Sequence, residues 1–597
     1  MKREKKRNEI NNEYKWDLTK IYETEELFLE DLKEITKEIN LIEKYKGHIL
    51  DNEQTLYDAI SSYFKYARKI EKLYMYAHLN YDSETNNIKY ETNFRKIENL
   101  CRDFGIITSF IEPELLKTDY KQIVEFSKSN PLLKEYSIFF KESFRNKEHI
   151  LSLKEEELLN KFSNVLGNSS EVYEKLTDTD MVLGTIFDEN KEEVELTDSN
   201  YSLYLASKDK EVRKSAFYRM YTAYKGLINT FASTYKGNIE YSCVDAKIRG
   251  YNSSLESALF SDNIDVSVYN NLIDAVSNNL EPLYKYYDLK KEILKLDEFH
   301  LYDNYVDLID LKETNYTFLE AKDLVIKSLS VLGSDYISNL NKAFDEHWID
   351  IYPNASKRSG AYSSGGYDTF PYVLLNFQGK LDDVSTLAHE LGHSMHSYYS
   401  RHNNTYQQSD YTIFVAEVAS TVNELLLCKY IIKNKENKEE KLNVINRMLD
   451  LFKGTIYRQT MFAEFEKITH EMVEKDEIIN SENLSNIYYE LNKKYFGNNV
   501  IVDEEIKYEW ARIPHFYYNF YVYKYATGLS AACFIVNRIL KNEENALEDY
   551  LKFLTLGGSM YPANELKVAG VDINDPKIVE SAIEMFNETI NDFKKNY

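Results

Sequence analysis

The chain has 597 residues, 43% hydrophobic and 29% charged, and its 98 acidic against 73 basic side chains give a formal net charge of −25. That length can bury a sizeable core. The acidic balance argues against nucleic acid or an anionic membrane as partner. Only 8 Pro and 19 Gly interrupt the chain, so long helices are expected.

The first residues, MKREKKRNEINNEYKW, are charged and lack an apolar core segment, so no secretory signal is expected. No run of eighteen uncharged apolar residues occurs, so no membrane span is expected either. Phe28, Leu32, Ile35, Ile39 and Ile42 mark one face of a helix. Leu56, Ile60, Tyr63, Ala67, Ile70 and Tyr74 mark the next. Ser152 to Glu155 reads as a capping box opening another. Between Val182 and Asn200 an Asp-Glu-Asn turn separates two β-prone runs, predicting a short hairpin. A boundary is placed there, giving a helical N-terminal region 1–195 and a catalytic region 196–597. The fold class expected is mainly α.

Helices resume over Tyr204–Tyr224 and Val266–Leu296. Cys101, Cys243, Cys428 and Cys533 are isolated from one another. No disulfide framework follows, which fits a reducing compartment and a cytoplasmic protein. Ser359–Gly379 is punctuated by glycine and serine, and Pro371–Phe377 within it reads as a strand. That strand is expected to be either a buried hairpin or an edge offered to an extended peptide.

The next segment carries the chemistry. In His389-Glu390-Leu391-Gly392-His393, two imidazoles four apart on a helix point the same way. They can share one Zn²⁺, with Glu390 as general base towards a metal-activated water. Apolar residues on both sides imply a packed helix, where histidines beside a glutamate need partners or a metal. A third ligand is required. His396 is set aside, because it lies roughly 10 Å along the helix axis from His389, whereas ligands of one ion sit about 3–4 Å apart. Tyr411–Tyr430 is apolar almost all round except for a few residues that include Glu417 and Glu424. These two glutamates, seven apart on one face, are the candidates: one would ligate and the other would orient a histidine ring.

Five tyrosines fall within Tyr517–Tyr525, just after Pro514 and His515. Hydroxyls and an imidazole N–H are donors suited to a tetrahedral oxyanion. If the segment is helical, Tyr518, Tyr521 and Tyr525 share a face and Tyr523 lies on another. An aromatic core stripe is the competing explanation.

With these residues placed, the chain resembles the oligoendopeptidase F branch of the thimet oligopeptidase-like (M3) zinc peptidases. The resemblance rests on Trp16-Asp17-Leu18, Arg249-Gly250-Tyr251, Ser364-Gly365-Gly366-Tyr367, the stretch from His389 to Tyr399, Phe414–Glu424, Gly557-Gly558-Ser559 and Ala569–Asp572. It implies a large helical prolate fold with a deep substrate channel and a small sheet beside the zinc helix. It further implies cytosolic hydrolysis of internal bonds in short peptides, one Zn²⁺ per chain, and no obligate protein partner. In the family's pattern Glu417 is the third ligand and Glu390 the base; the family's catalytic histidine matches His515, and Tyr518, Tyr521, Tyr523 and Tyr525 compete for the place of its catalytic tyrosine. Two other readings compete. A metallocarboxypeptidase would use Arg512 or Lys524 to hold a C-terminus. A non-catalytic peptide-binding protein would use zinc only to join helices.

Overall fold

The computed structural model describes residues 4–309 and 314–597; the first three residues of the charged N-terminal stretch lie outside it. The described residues are mainly helical, with five short strands among them. The helices that place the site are α1 (Glu25–Glu38), α2 (Glu53–Ser83), α3 (Ile228–Ile248), α4 (Val266–Ser277), α5 (Leu381–Asn403), α6 (Ile413–Asn434), α7 (Gln459–Glu474) and α8 (Tyr523–Leu540). The strands are β1 (Thr185–Phe187), β2 (Glu193–Glu195), β3 (Ile349–Asp350), β4 (Tyr362–Ser364) and β5 (Tyr372–Leu374).

Two compact units divide the chain in an interleaved way. One comprises Met1–Glu148, Glu313–Tyr430 and Ile535–Val571; the other comprises His149–Lys312, Ile431–Phe534 and Asp572–Tyr597. The sequence boundary at 195 falls inside the second unit, at the end of β2.

In the first unit, the Thr24 side chain caps α1 by accepting the Leu27 N–H, and Asn52 does the same for α2. Phe28, Leu32 and Ile35 of α1 bury against Leu56, Ile60 and Ile70 of α2, and Tyr372 and Leu374 of β5 complete that core. Ile39 and Ile42 stay buried, but they stand on a tightened 3₁₀ extension of α1.

The sheet order is β3-β5-β4, with β5 parallel to β3 and antiparallel to β4. β5 is therefore the central strand, buried at all three residues. Of the two expectations for this strand, the buried one holds and the edge offered to a peptide does not. Both of its hydrogen-bonding sides are taken, and the outer strand beside α5 is β4. Ser394 of α5 ties the helix to the sheet, its hydroxyl 2.9 Å from that of Ser363.

In the second unit, β1 and β2 pair antiparallel with Thr185 opposite Glu195, forming the expected hairpin. The capping box at Ser152 is present. No helix among the described residues is long and apolar enough to cross a membrane.

Candidate metal centre and active site

α5 starts where the Asp383 carboxylate accepts the Lys380 N–H at 2.8 Å, with Asp382 and Asp383 facing the positive end of the helix dipole. Leu387, Ala388, Leu391 and Met395 bury its inner face, which turns His389 and His393 together. Their Nε2 atoms lie 3.2 Å apart. Glu417 Oε2 of α6 stands 3.4 Å from the first and 3.8 Å from the second.

Donors about 2.0–2.1 Å from a tetrahedral ion are spaced by about 3.3 Å, so this triangle fits a divalent cation with a corner left over. The donor chemistry, two imidazoles and a carboxylate, suits zinc. The Glu417 side chain is 57% exposed. Glu417 and Glu424 lie on a more open side of a helix whose residues from Phe414 to Leu427 are otherwise mostly buried, as a site that must admit a substrate requires.

Glu424 stands on the other side of the His389 ring. Its Oε1 is 2.7 Å from His389 Nδ1, so the ring is held from behind while its Nε2 faces Glu417. Burial lowers the His389 pKa, but the Glu424 hydrogen bond and charge outweigh it and the net shift is upward. Burial drops His393 to about 4, with the neighbouring His389 charge adding to it.

Glu390 is buried, with burial as the main cause of a carboxyl pushed up to about 7; His389 opposes that rise. The backbone N–H of Ser363 on β4 also opposes the rise. Ser363 was not singled out in the sequence, where it sits in a stretch read only as glycine-serine punctuation. His396 is 1% exposed and stacks on Tyr411 at 3.7 Å between ring centres, a core position with no ligand role.

The two helices carrying the triad meet at Gly392. A Cβ built there would lie 2.5 Å from Ser420 Cα and 2.8 Å from the Ala419 carbonyl oxygen. Asn423 stitches the same junction, donating to the Ala388 carbonyl at 3.1 Å and accepting from the Tyr336 hydroxyl at 3.1 Å.

The tyrosine segment lies in the second unit and is not one helix. Pro514–Tyr517 is a 3₁₀ turn, Asn519 and Phe520 take positive φ values of 43° and 58°, and α8 begins only at Tyr523. The face argument from helical spacing is therefore corrected. The turn nevertheless groups the expected side chains. Tyr525 Oη is 3.4 Å from His515 Nε2, the Tyr521 and Tyr525 rings meet edge-on at 5.4 Å, and the Tyr518 ring lies 6.1 Å from His515. Tyr518 is 60% exposed, whereas Tyr523 is buried against Tyr269. Lys524 is paired with Asp262 at 2.6 Å and Arg512 with Asp198 at 3.6 Å, so both carboxypeptidase candidates are already engaged by carboxylates.

The sequence model of Peptidase family M3 matches residues 203–585, and that of Oligopeptidase F matches residues 114–182. The chain belongs to peptidase family M3. It is 40% identical to oligopeptidase PepF of Bacillus subtilis, over 99% of this chain and 88% of that protein. It is 39% identical to the chromosomal oligoendopeptidase F of Lactococcus lactis subsp. cremoris, over 99% and 98%. The solved oligoendopeptidase-F of Enterococcus faecium aligns with a TM-score of 0.73 at 35% identity, covering 96% of this chain and 99% of that one. A solved chain from Chlamydophila abortus aligns at 0.95 and 37% identity, each chain fully covered. Membership in family M3 makes this chain a peptide hydrolase of the metallopeptidase kind, and its mainly α fold agrees with that of the solved relatives.

Proposed function

We propose that this M3 peptidase is a zinc-dependent endopeptidase that cleaves internal bonds of short peptides in the cytoplasm. The observation that carries the reading is the triangle of His389, His393 and Glu417 donors, which also form a single cluster within 4.8 Å.

When bound, the cation supplies Lewis acidity at the open corner of the triad, towards water and towards the scissile carbonyl. Glu390 is assigned as the base: it takes the proton of the attacking water and returns it to the leaving amine. Burial holds its proton affinity near neutrality, where both transfers are feasible. Glu424 fixes the tautomer and direction of His389. The outer strand β4, which Ser363 ties to the helix carrying Glu390, offers backbone groups to an extended peptide, which suits sequence-tolerant binding. The neutral donors His515, Tyr518, Tyr521 and Tyr525 are assigned to the oxyanion. None of the four cysteines is in a disulfide, in keeping with a reducing compartment.

The test is Glu390→Gln assayed on a peptide amidated at its C-terminus. Wild type is expected to cut it internally, and the variant to retain metal while turnover falls by about 10³-fold or more. Wild-type turnover in the variant would remove Glu390 from the mechanism. A wild-type enzyme that stalls on the amidated peptide would favour the carboxypeptidase.

A further inference from the structure

We propose that Glu466 is a positioning residue for the reaction: its carboxyl clamps the left-handed Asn519–Phe520 turn and so sets the direction in which Tyr518, Tyr521 and Tyr525 are presented. The inference rests on the oxyanion role assigned to those tyrosines above.

Glu466 lies on α7 and is 0% exposed. Its Oε1 accepts the Phe520 N–H at 2.5 Å. Its Oε2 is buried and has no hydrogen-bond partner among the described residues. A carboxyl placed this way is costly to bury, and no cation among the described residues offsets that cost; burial alone pushes it up to about 8, opposed only by the Phe520 N–H. Its one visible task is therefore the backbone of the turn.

That backbone needs holding. Two consecutive non-glycine residues sit at positive φ, and for a residue as bulky as phenylalanine this conformation is an outlier. Such outliers persist only where the surroundings over-determine them. Three elements distant in sequence do so. Asn238 of α3 donates to Asn519 Oδ1 at 3.1 Å and to the Phe516 carbonyl at 3.4 Å. The Phe520 ring is 2% exposed and packs on Tyr269 of α4 and His470 of α7, at 5.5 and 4.4 Å. Glu466 supplies the hydrogen bond to the main chain at the centre of the turn. Tyr518 precedes the turn and Tyr521 and Tyr525 follow it, so its geometry fixes how the donors on its two sides are set relative to each other.

The experiment compares Glu466→Met, which keeps length without an acceptor, Glu466→Asp, which keeps the carboxyl one methylene short, and Glu466→Gln, which keeps a neutral acceptor in place. Two readouts are taken: kcat and KM on an internally quenched peptide, and amide hydrogen exchange at Phe520. Met and Asp are expected to lower kcat about tenfold or more with KM within about twofold, and to speed Phe520 exchange about tenfold. Gln is expected to stay within about threefold of wild type on both readouts. A role in packing alone would not produce a kcat loss that the Gln variant rescues. The proposal is overturned if Met and Asp keep wild-type kcat, if exchange at Phe520 is unchanged, or if Gln is as impaired as Met. Should the Met variant not fold, the Asp and Gln pair decides alone. Exchange needs no turnover, so a wild type that fails to cleave peptides sinks the peptidase reading while the clamp is still measured.

Discussion

Glu424 and His389 form a 2.7 Å contact between Oε1 and Nδ1, and seven residues earlier on the same helix Glu417 faces the opposite nitrogen of that ring. On the proposed reading, one helix face supplies both a ligand and the group that aims another ligand. The expected consequence is a loss of metal affinity of about 10–100-fold in Glu424→Ala, read by competition with a chromophoric chelator. Activity at saturating zinc should recover most of the way. Unchanged affinity in that variant would mean that the ring is aimed by packing alone.

Gly392 should tolerate no side chain. In Gly392→Ala the new Cβ meets the backbone of Ala419 and Ser420, so α5 and α6 must separate. Overpacking of this kind costs about 1–3 kcal/mol, and His389 and His393 move away from Glu417 as the helices part. Both a lower unfolding midpoint and weaker metal binding are expected from calorimetry and zinc titration. Wild-type values for both would show that the junction can yield.

Stability should decline as the solution becomes alkaline. Burial raises the Glu466 and Glu565 carboxyls to about 8, above the unfolded value of about 4.3. Between those limits the folded state binds more protons than the unfolded one, so their contribution is full at low pH and is lost as pH rises towards 8. Burial lowers His470 to about 3, which acts oppositely: below about 6.5 the unfolded state takes the proton and stability falls with acid. Denaturant midpoints are therefore expected to decrease from about pH 6.5 to 8. The slope should be shallower in Glu466→Gln, because one buried acid contributes at most about 1.4 kcal/mol per pH unit. An equal slope in wild type and variant would contradict the assignment.

Among the tyrosines, Tyr521→Phe, Tyr525→Phe and Tyr518→Phe remove one hydroxyl each with little change in volume. The variant lacking an oxyanion donor should lose about 10²-fold in kcat at nearly constant KM. If all three single variants and His515→Ala turned over at the wild-type rate, the segment would have no part in the chemistry.

What could be read in the sequence follows from how local each cause is. The Phe28–Ile35 face and the His389–His393 pair depend on a 3.6-residue period that the chain carries openly. The spacing of Tyr518, Tyr521 and Tyr525 does not give a common helix face because the chain turns at Asn519–Phe520, where the Phe520 N–H donates to a carboxyl more than fifty residues upstream. Strand β5 gave its own position, but its place at the centre of the sheet depends on β3 and β4. The division of labour between Glu417 and Glu424 depends on where His389 points across a helix junction that Gly392 permits, a tertiary fact that residue spacing leaves open.

The central claim is that His389, His393 and Glu417 hold one zinc ion on which hydrolysis depends. Elemental analysis of the purified chain, paired with peptide cleavage before chelation, after chelation and after zinc is restored, tests it most directly. The account predicts one zinc per chain, loss of cleavage with its removal and recovery on its return, with Glu417→Ala failing to retain the ion. Full cleavage by a chain stripped of metal, or zinc retained at full occupancy without all three side chains, would contradict it.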